Sequence, residues 1–140
     1  YTLLSYLWRC DMKKILPILL LVLMLTGCGG EPEHTLTYES GKQMTVADID
    51  CVAVFTQYTN SSSESAIPAD YLTVKAYQNG VEIPCLVPTG EKTEGYIQCD
   101  ASVQAGITAD VVWIFQLEDS SPVTVEMTGC EAVEITLTEE

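Results

Sequence analysis

Ile107-Thr108-Ala109-Asp110-Val111-Val112-Trp113-Ile114-Phe115-Gln116-Leu117 alternates with a period of two. Ile107, Ala109, Val111, Trp113, Phe115 and Leu117 share one face, and Thr108, Asp110, Val112, Ile114 and Gln116 share the other. An extended chain sends successive side chains to opposite faces, so the run predicts a strand. Its second face also carries Val112 and Ile114, which predicts a strand that is central or covered on both sides. Gln104-Ala105-Gly106 before it and Asp119-Ser120-Ser121-Pro122 after it supply turn residues.

The same period recurs on either side. Leu72, Val74 and Ala76 alternate with Thr73, Lys75 and Tyr77, and Val81, Ile83 and Cys85 follow after Asn79-Gly80. Asn-Gly suits a type I′ turn, where both central residues need positive φ. Residues 71–78 and 81–86 are therefore expected to pair as an antiparallel hairpin, with Tyr71 and Tyr77 facing outward. Cys51–Phe55 is a continuous apolar run that predicts a buried strand reaching about Tyr58, closed by Asn60-Ser61-Ser62-Ser63. Val123/Val125/Met127 and Val133/Ile135/Leu137 each make one strand face, and Leu36–Val46 is expected to give one or two edge strands. No long stretch after residue 34 repeats apolar residues at helical spacing. About seven short strands separated by turns point to an all-β antiparallel β-sandwich, with an antiparallel barrel as the alternative.

Upstream of this domain the composition changes. Met12-Lys13-Lys14 is followed by the apolar run Ile15–Leu25, interrupted only by Pro17, and then by Thr26, Gly27 and Cys28. A basic start, a short apolar run and small residues before a cut describe a secretory signal over residues 12–27. The run is shorter than the roughly 20 apolar residues a membrane-spanning helix needs. Leu25-Thr26-Gly27-Cys28 resembles the lipobox of bacterial lipoproteins. The resemblance implies lipidation of the Cys28 thiol and cleavage between Gly27 and Cys28. It also implies a chain held on the outer side of the cell membrane through Cys28. Two acyl chains anchor stably, at about 0.8 kcal/mol per buried methylene. Residues 28–35, with Gly29, Gly30, Pro32 and His34, are expected to form a flexible tether, and residues 36–140 the folded domain. Residues 1–11 precede a complete signal and are expected to be upstream reading frame or a misplaced start.

The chain carries a formal charge of −14, and 19 of its 20 acidic residues but only 3 of its 6 basic ones lie at or after residue 28. That balance repels nucleic acid and argues for a well-solvated surface. His34 is the only histidine, and its place in the expected tether leaves no Ser-His-Asp or Cys-His arrangement for the domain. Phosphate-binding, dinucleotide-binding and calcium-loop motifs are missing from the sequence, so no catalytic residue, metal or cofactor is expected. Asp48 and Asp50 would share a strand face, an arrangement that reads more simply as a solvated edge than as a weak calcium site.

Setting aside Cys10 and Cys28, four cysteines remain: Cys51, Cys85, Cys99 and Cys130. An even count in an exported domain favours disulfides. Four cysteines admit three pairings, and the sequence does not choose among them. Cys85–Cys99 with Cys51–Cys130 is the favoured arrangement, and closing 85–99 is worth about 3 kcal/mol in the chain-entropy account. Buried free thiols acting as small apolar groups are the plain alternative. The cysteines are too widely spaced for the close pairs of a zinc site.

Several segments together carry a further resemblance: Val54-Phe55-Thr56-Gln57-Tyr58-Thr59-Asn60-Ser61, Ala76-Tyr77-Gln78-Asn79-Gly80-Val81-Glu82-Ile83, Gln104-Ala105-Gly106-Ile107, and the stretch Phe115–Val125 ending in Pro122-Val123-Thr124-Val125. Over about residues 46–127 the chain resembles an uncharacterised family of immunoglobulin-like domains of Gram-positive lipoproteins. Ala105-Gly106 stands where that family has Pro-Gly, and the cysteines are not part of its pattern. The resemblance implies an immunoglobulin-like sandwich and an extracytoplasmic address, without an activity. The expected function is a non-catalytic surface binding or interaction module for a protein or cell-envelope partner, the alternative an accessory or structural lipoprotein. The long loops Asn60–Asp70 and Val87–Gly95 are the expected binding segments.

Overall fold

The computed structural model describes residues 30–89 and 93–138. The expected upstream segment 1–11, the signal 12–27 and the lipidation residue Cys28 lie outside them. Two sheets stack as a sandwich. The first sheet contains β1 (His34–Val46), β2 (Ile49–Asn60), β5 (Cys85–Leu86), β6 (Ile97–Gln98) and β7 (Thr108–Gln116), in the order β1-β2-β7-β5. β6 lies on β7 as well, parallel to it, while every other pair is antiparallel. The second sheet has the order β4-β3-β8-β9, built from β3 (Val74–Gln78), β4 (Val81–Ile83), β8 (Val123–Met127) and β9 (Val133–Ile135). One short helix, α1 (Pro68–Tyr71), precedes β3. The all-β sandwich expected from the alternation is the fold observed.

Burial explains the patterns. β2 lies between β1 and β7, which is why Cys51–Val54 are apolar without alternation: both faces of that segment are covered. Val52, Val54, Tyr58, Val111, Trp113 and Phe115 point into the space between the sheets and meet Val74, Ala76, Ile83, Val123 and Val125 of the second sheet. The polar atoms taken inside are paired. Trp113 Nε1 donates to Thr56 Oγ1 at 3.1 Å, and Thr56 Oγ1 donates to the Val111 carbonyl at 3.0 Å. A buried indole N–H without a partner costs about 1–3 kcal/mol, so Thr56 holds a core position that an aliphatic residue would not fill as well. The outer face of the first sheet has its own small core of Val46, Cys51, Ala53, Val112 and Ile114, covered by Leu86, Phe55 and Tyr96. The apolar second face of the 107–117 run is thus accounted for.

The Asn79-Gly80 hairpin forms as expected, with φ of 51° and 78° at its two central residues. A second tight turn, Ala47-Asp48, also has positive φ at both positions, 50° and 64°, without any glycine. Asp48 therefore sits in a turn and shares no strand face with Asp50. Four further expectations are corrected. Residues 81–86 are not one strand: the chain leaves the second sheet after Ile83, passes Pro84, and joins β7 of the first sheet at Cys85. Ile107 is exposed rather than inward. Tyr71 ends α1 and is not part of β3. His34 is not tether but the first residue of β1, paired with Asn60.

Candidate functional site

A cleft opens between the two sheets where β1 and β9 form their free edges. Its volume is about 800 Å³, and its walls include Gly41, Gln43, Thr45 and Asp50 on one side and Ile135 and Thr136 on the other. The register of β1 explains why polar residues line it. Leu36 and Tyr38 stand opposite Tyr58 and Thr56 and face the core. A bulge between Tyr38 and Ser40 then shifts the parity by one residue. Beyond it Gly41, Gln43 and Thr45 stand opposite Val54, Val52 and Asp50, on the inner side of the sheet. The strand thus presents small and polar residues where its earlier half presents apolar ones.

Two details define the cleft. An added Cβ at Gly41 would lie 2.8 Å from Ile135 Cγ1 and closer still to Cδ1, so the absence of a side chain there lets β9 approach β1. Gln43 Oε1 is buried and has no hydrogen-bond partner among the described residues. Most buried polar atoms are paired, so this acceptor is an exception, and it belongs to a residue of the cleft wall. Lys42 and Asp50 add one charge of each sign, and Thr45 Oγ1 donates to Asp50 Oδ1 at 3.4 Å. No described residue of either expected binding loop lines this cleft. Sequence reasoning missed Gln43 and Thr45 because polar residues on an edge strand read as solvent-facing, and only the bulge turns them inward.

The four cysteines are free thiols and fall into three environments. Cys85 stands opposite Phe115 on the outer edge of β7, and Cys99, directly after β6 on the same edge, is buried in the main core with Phe115. These two are neighbours on that edge, and the interaction between their sulfurs holds the Cys85 pKa below that of an ordinary thiol and pushes that of Cys99 up. Cys51 and Cys130 are not brought together. Cys51 lies in the outer core of the first sheet, its Sγ donating to the Ile49 carbonyl at 3.4 Å. Cys130 packs against the core between the sheets, its Sγ 3.2 Å from the Leu36 carbonyl oxygen. The Cys51–Cys130 half of the favoured pairing is therefore not supported by the geometry.

His34 has structural partners. Its Nδ1 is 2.8 Å from the hydroxyl of buried Tyr58, and its ring stacks on that of Tyr71 with centroids 3.9 Å apart. The premise that the domain lacks a histidine falls, although no serine, cysteine or carboxylate is hydrogen-bonded to this one among the described residues. The loop after β2 is likewise firmly held. Buried Asn60 donates from Nδ2 to the Glu64 and Val103 carbonyls at 2.8 and 3.0 Å and accepts at Oδ1 from Ser62 N and Oγ. Ala66 pairs with Val103 across the loop. No group of three or more metal-ligating side chains occurs among the described residues.

Fold and cleft define a small β-sandwich domain with an open corner between its edge strands. The chain belongs to the family described as a domain of unknown function, DUF5067, whose model matches residues 33–129. The match spans β1 to β8, so it includes the β1 wall of the cleft and excludes the wall built by β9 and the residues after it. No curated protein and no solved structure matches the chain.

Proposed function

We propose that this chain is a membrane-anchored extracytoplasmic lipoprotein whose domain is a non-catalytic binding module, holding a polar partner in the cleft between β1 and β9. The observation that carries the binding site is Gln43 Oε1, a buried acceptor without a donor at the cleft wall. The anchor rests on Leu25-Thr26-Gly27-Cys28, and the export it implies favours oxidation of neighbouring thiols. The non-catalytic reading draws on the interior: Tyr58, Trp113 and Phe115 fill the space between the sheets, leaving binding to the surface. Five residues separate Cys28 from His34, a reach of roughly 20 Å.

The test compares the full chain with Gln43→Leu and Thr45→Arg in pull-downs from solubilised membranes and from envelope extracts. Gln43→Leu removes a buried unsatisfied acceptor, so its thermal stability is expected to hold or rise while a specific partner is lost. Thr45→Arg fills the mouth of the cleft and is expected to lose the same partner. Retention by both variants overturns the cleft assignment. A partner embedded in the membrane supports the accessory-lipoprotein alternative over capture of an extracytoplasmic ligand.

A further inference from the structure

We propose that Cys85 and Cys99 form a thiol–disulfide exchange site, Cys85 as the attacking sulfur and Cys99 as the resolving one, from which Cys51 and Cys130 are excluded. The site stands apart from the cleft and does not depend on the binding reading.

Placement carries the inference. β7 is paired with β2 along one edge from Thr108 to Gln116, so β5 and β6 both lie on its other edge. β5 meets Phe115 and Ile114, and β6 meets Val111 and Val112. Two strands of two residues each thus occupy one edge end to end, and Cys85 and Cys99 are where they approach. Directly opposed residues of an antiparallel pair project to the same face, so Cys85 emerges on the side of Phe115, the cluster in which Cys99 is buried. Continued by one residue, the parallel register of β6 sets Cys99 beside Trp113, two positions along the same edge from Cys85 beside Phe115 and on the same face, which is close enough for a small backbone and side-chain movement to close a disulfide.

The pair is asymmetric in the way exchange requires. Cys85 is exposed and Cys99 is only 3% exposed. An external disulfide reaches the first and not the second. Interaction with Cys99 lowers the Cys85 pKa and so favours the thiolate, the form that attacks. Cys51 and Cys130 each donate to a backbone carbonyl and have no cysteine paired with them among the described residues.

With a small-molecule disulfide as oxidant the step balances. The Cys85 thiolate attacks one sulfur of the oxidant, forming a mixed disulfide and releasing one thiolate. The Cys99 thiol, losing its proton to solvent, attacks Cys85 Sγ and expels the second thiolate. Two electrons pass to the oxidant, which leaves as two thiols, and the protein gains one S–S bond joining β5 to β6. An excess of a small dithiol reverses both steps.

The full chain, reduced and then exposed to oxidised glutathione, is quenched with an alkylating agent and mapped by mass spectrometry. The expected product is a single disulfide linking the peptides of Cys85 and Cys99, with Cys51 and Cys130 alkylated only after unfolding. In the reduced native protein Cys85 is expected to be alkylated at least about tenfold faster than Cys51, Cys99 and Cys130, a measurement that needs no variant. Cys99→Ala should accumulate glutathione on Cys85, and Cys85→Ser should accumulate none on Cys99. A native disulfide containing Cys51 or Cys130, equal alkylation of Cys51, Cys85, Cys99 and Cys130, or glutathione persisting on Cys85 of the unsubstituted protein overturns the proposal.

Discussion

Gly41→Ala tests the closeness of the two sheets at the cleft. In a strand this exchange should stabilise by about 0.4–1 kcal/mol, because alanine has fewer unfolded conformations to lose. At this site the added methyl would lie 2.8 Å from Ile135 Cγ1 and nearer to Cδ1, and Ile135 is only 7% exposed and already packed. Overpacking of that kind costs about 1–3 kcal/mol, so it outweighs the gain and leaves a net loss of about 1–2 kcal/mol. For a domain of this size that is a fall in Tm of about 5–10 °C. The decisive measurement is a double-mutant cycle in urea, followed by far-ultraviolet circular dichroism. Ile135→Ala alone should cost about 2 kcal/mol, at the low end for a buried aliphatic truncation because it lies at a sheet edge. In that background Gly41→Ala should turn stabilising, by about 0.5 kcal/mol, since nothing is left to strike. Equal effects of Gly41→Ala in both backgrounds would show that Ile135 does not sit over Gly41, and the cleft would lose its second wall.

Ala47 has a φ of 50°, a conformation that costs an ordinary residue about 1–2 kcal/mol and that asparagine tolerates better. Ala47→Asn is expected to raise Tm by a few degrees, and a fall would show that the Ala47-Asp48 turn differs from its observed form. Asp119 accepts from Ser121 Oγ, from Ser121 N at 2.8 Å and from Asn79 Nδ2 at 3.0 Å, and its pKa is lowered chiefly by the Ser121 hydroxyl. A lowered pKa stabilises above the unfolded value of roughly 4 and is lost as pH falls through the folded one. The difference in Tm between the protein and Asp119→Asn should accordingly be present at neutral pH and vanish in strong acid. Cys28→Ala is expected to abolish acyl labelling and membrane retention, and unchanged labelling would refute the lipobox assignment.

Where a strand is covered on both faces, its sequence says so directly. Val112 and Ile114 broke the polar side of the 107–117 alternation, and the structure puts Leu86 and Tyr96 over that face. Asn79-Gly80 announced its turn because its residues suit positive φ, whereas Ala47-Asp48 adopts the same geometry without that chemistry and left no mark. Period two reports which side a residue faces and not which sheet it belongs to. Val81, Ile83 and Cys85 keep the alternation while the chain changes sheets at Pro84, so the pattern alone extends the hairpin arm past the point where the chain leaves it. His34 followed two glycines and a proline and read as tether, since its partner Tyr58 is 24 residues away.

The candidate sites were hidden for the same reason, that each is made by a long-range neighbour. Gln43 and Thr45 look like solvent-facing edge residues until the bulge after Tyr38 turns them toward the other sheet. The cleft then exists only because β9 comes alongside, and the family match ends before β9 begins. Buried Gln78 donates to the Asp119 and Ser121 carbonyls at 3.0 and 2.8 Å and accepts from Glu118 N at 2.7 Å. Asn79 reaches Asp119 and Ser121 as well. Two separate segments of the resemblance, Gln78-Asn79-Gly80 and Glu118–Pro122, are therefore one hydrogen-bonded unit in space. A motif built this way describes how the sandwich is stitched at one end, which explains why it identifies the fold and is silent about the ligand.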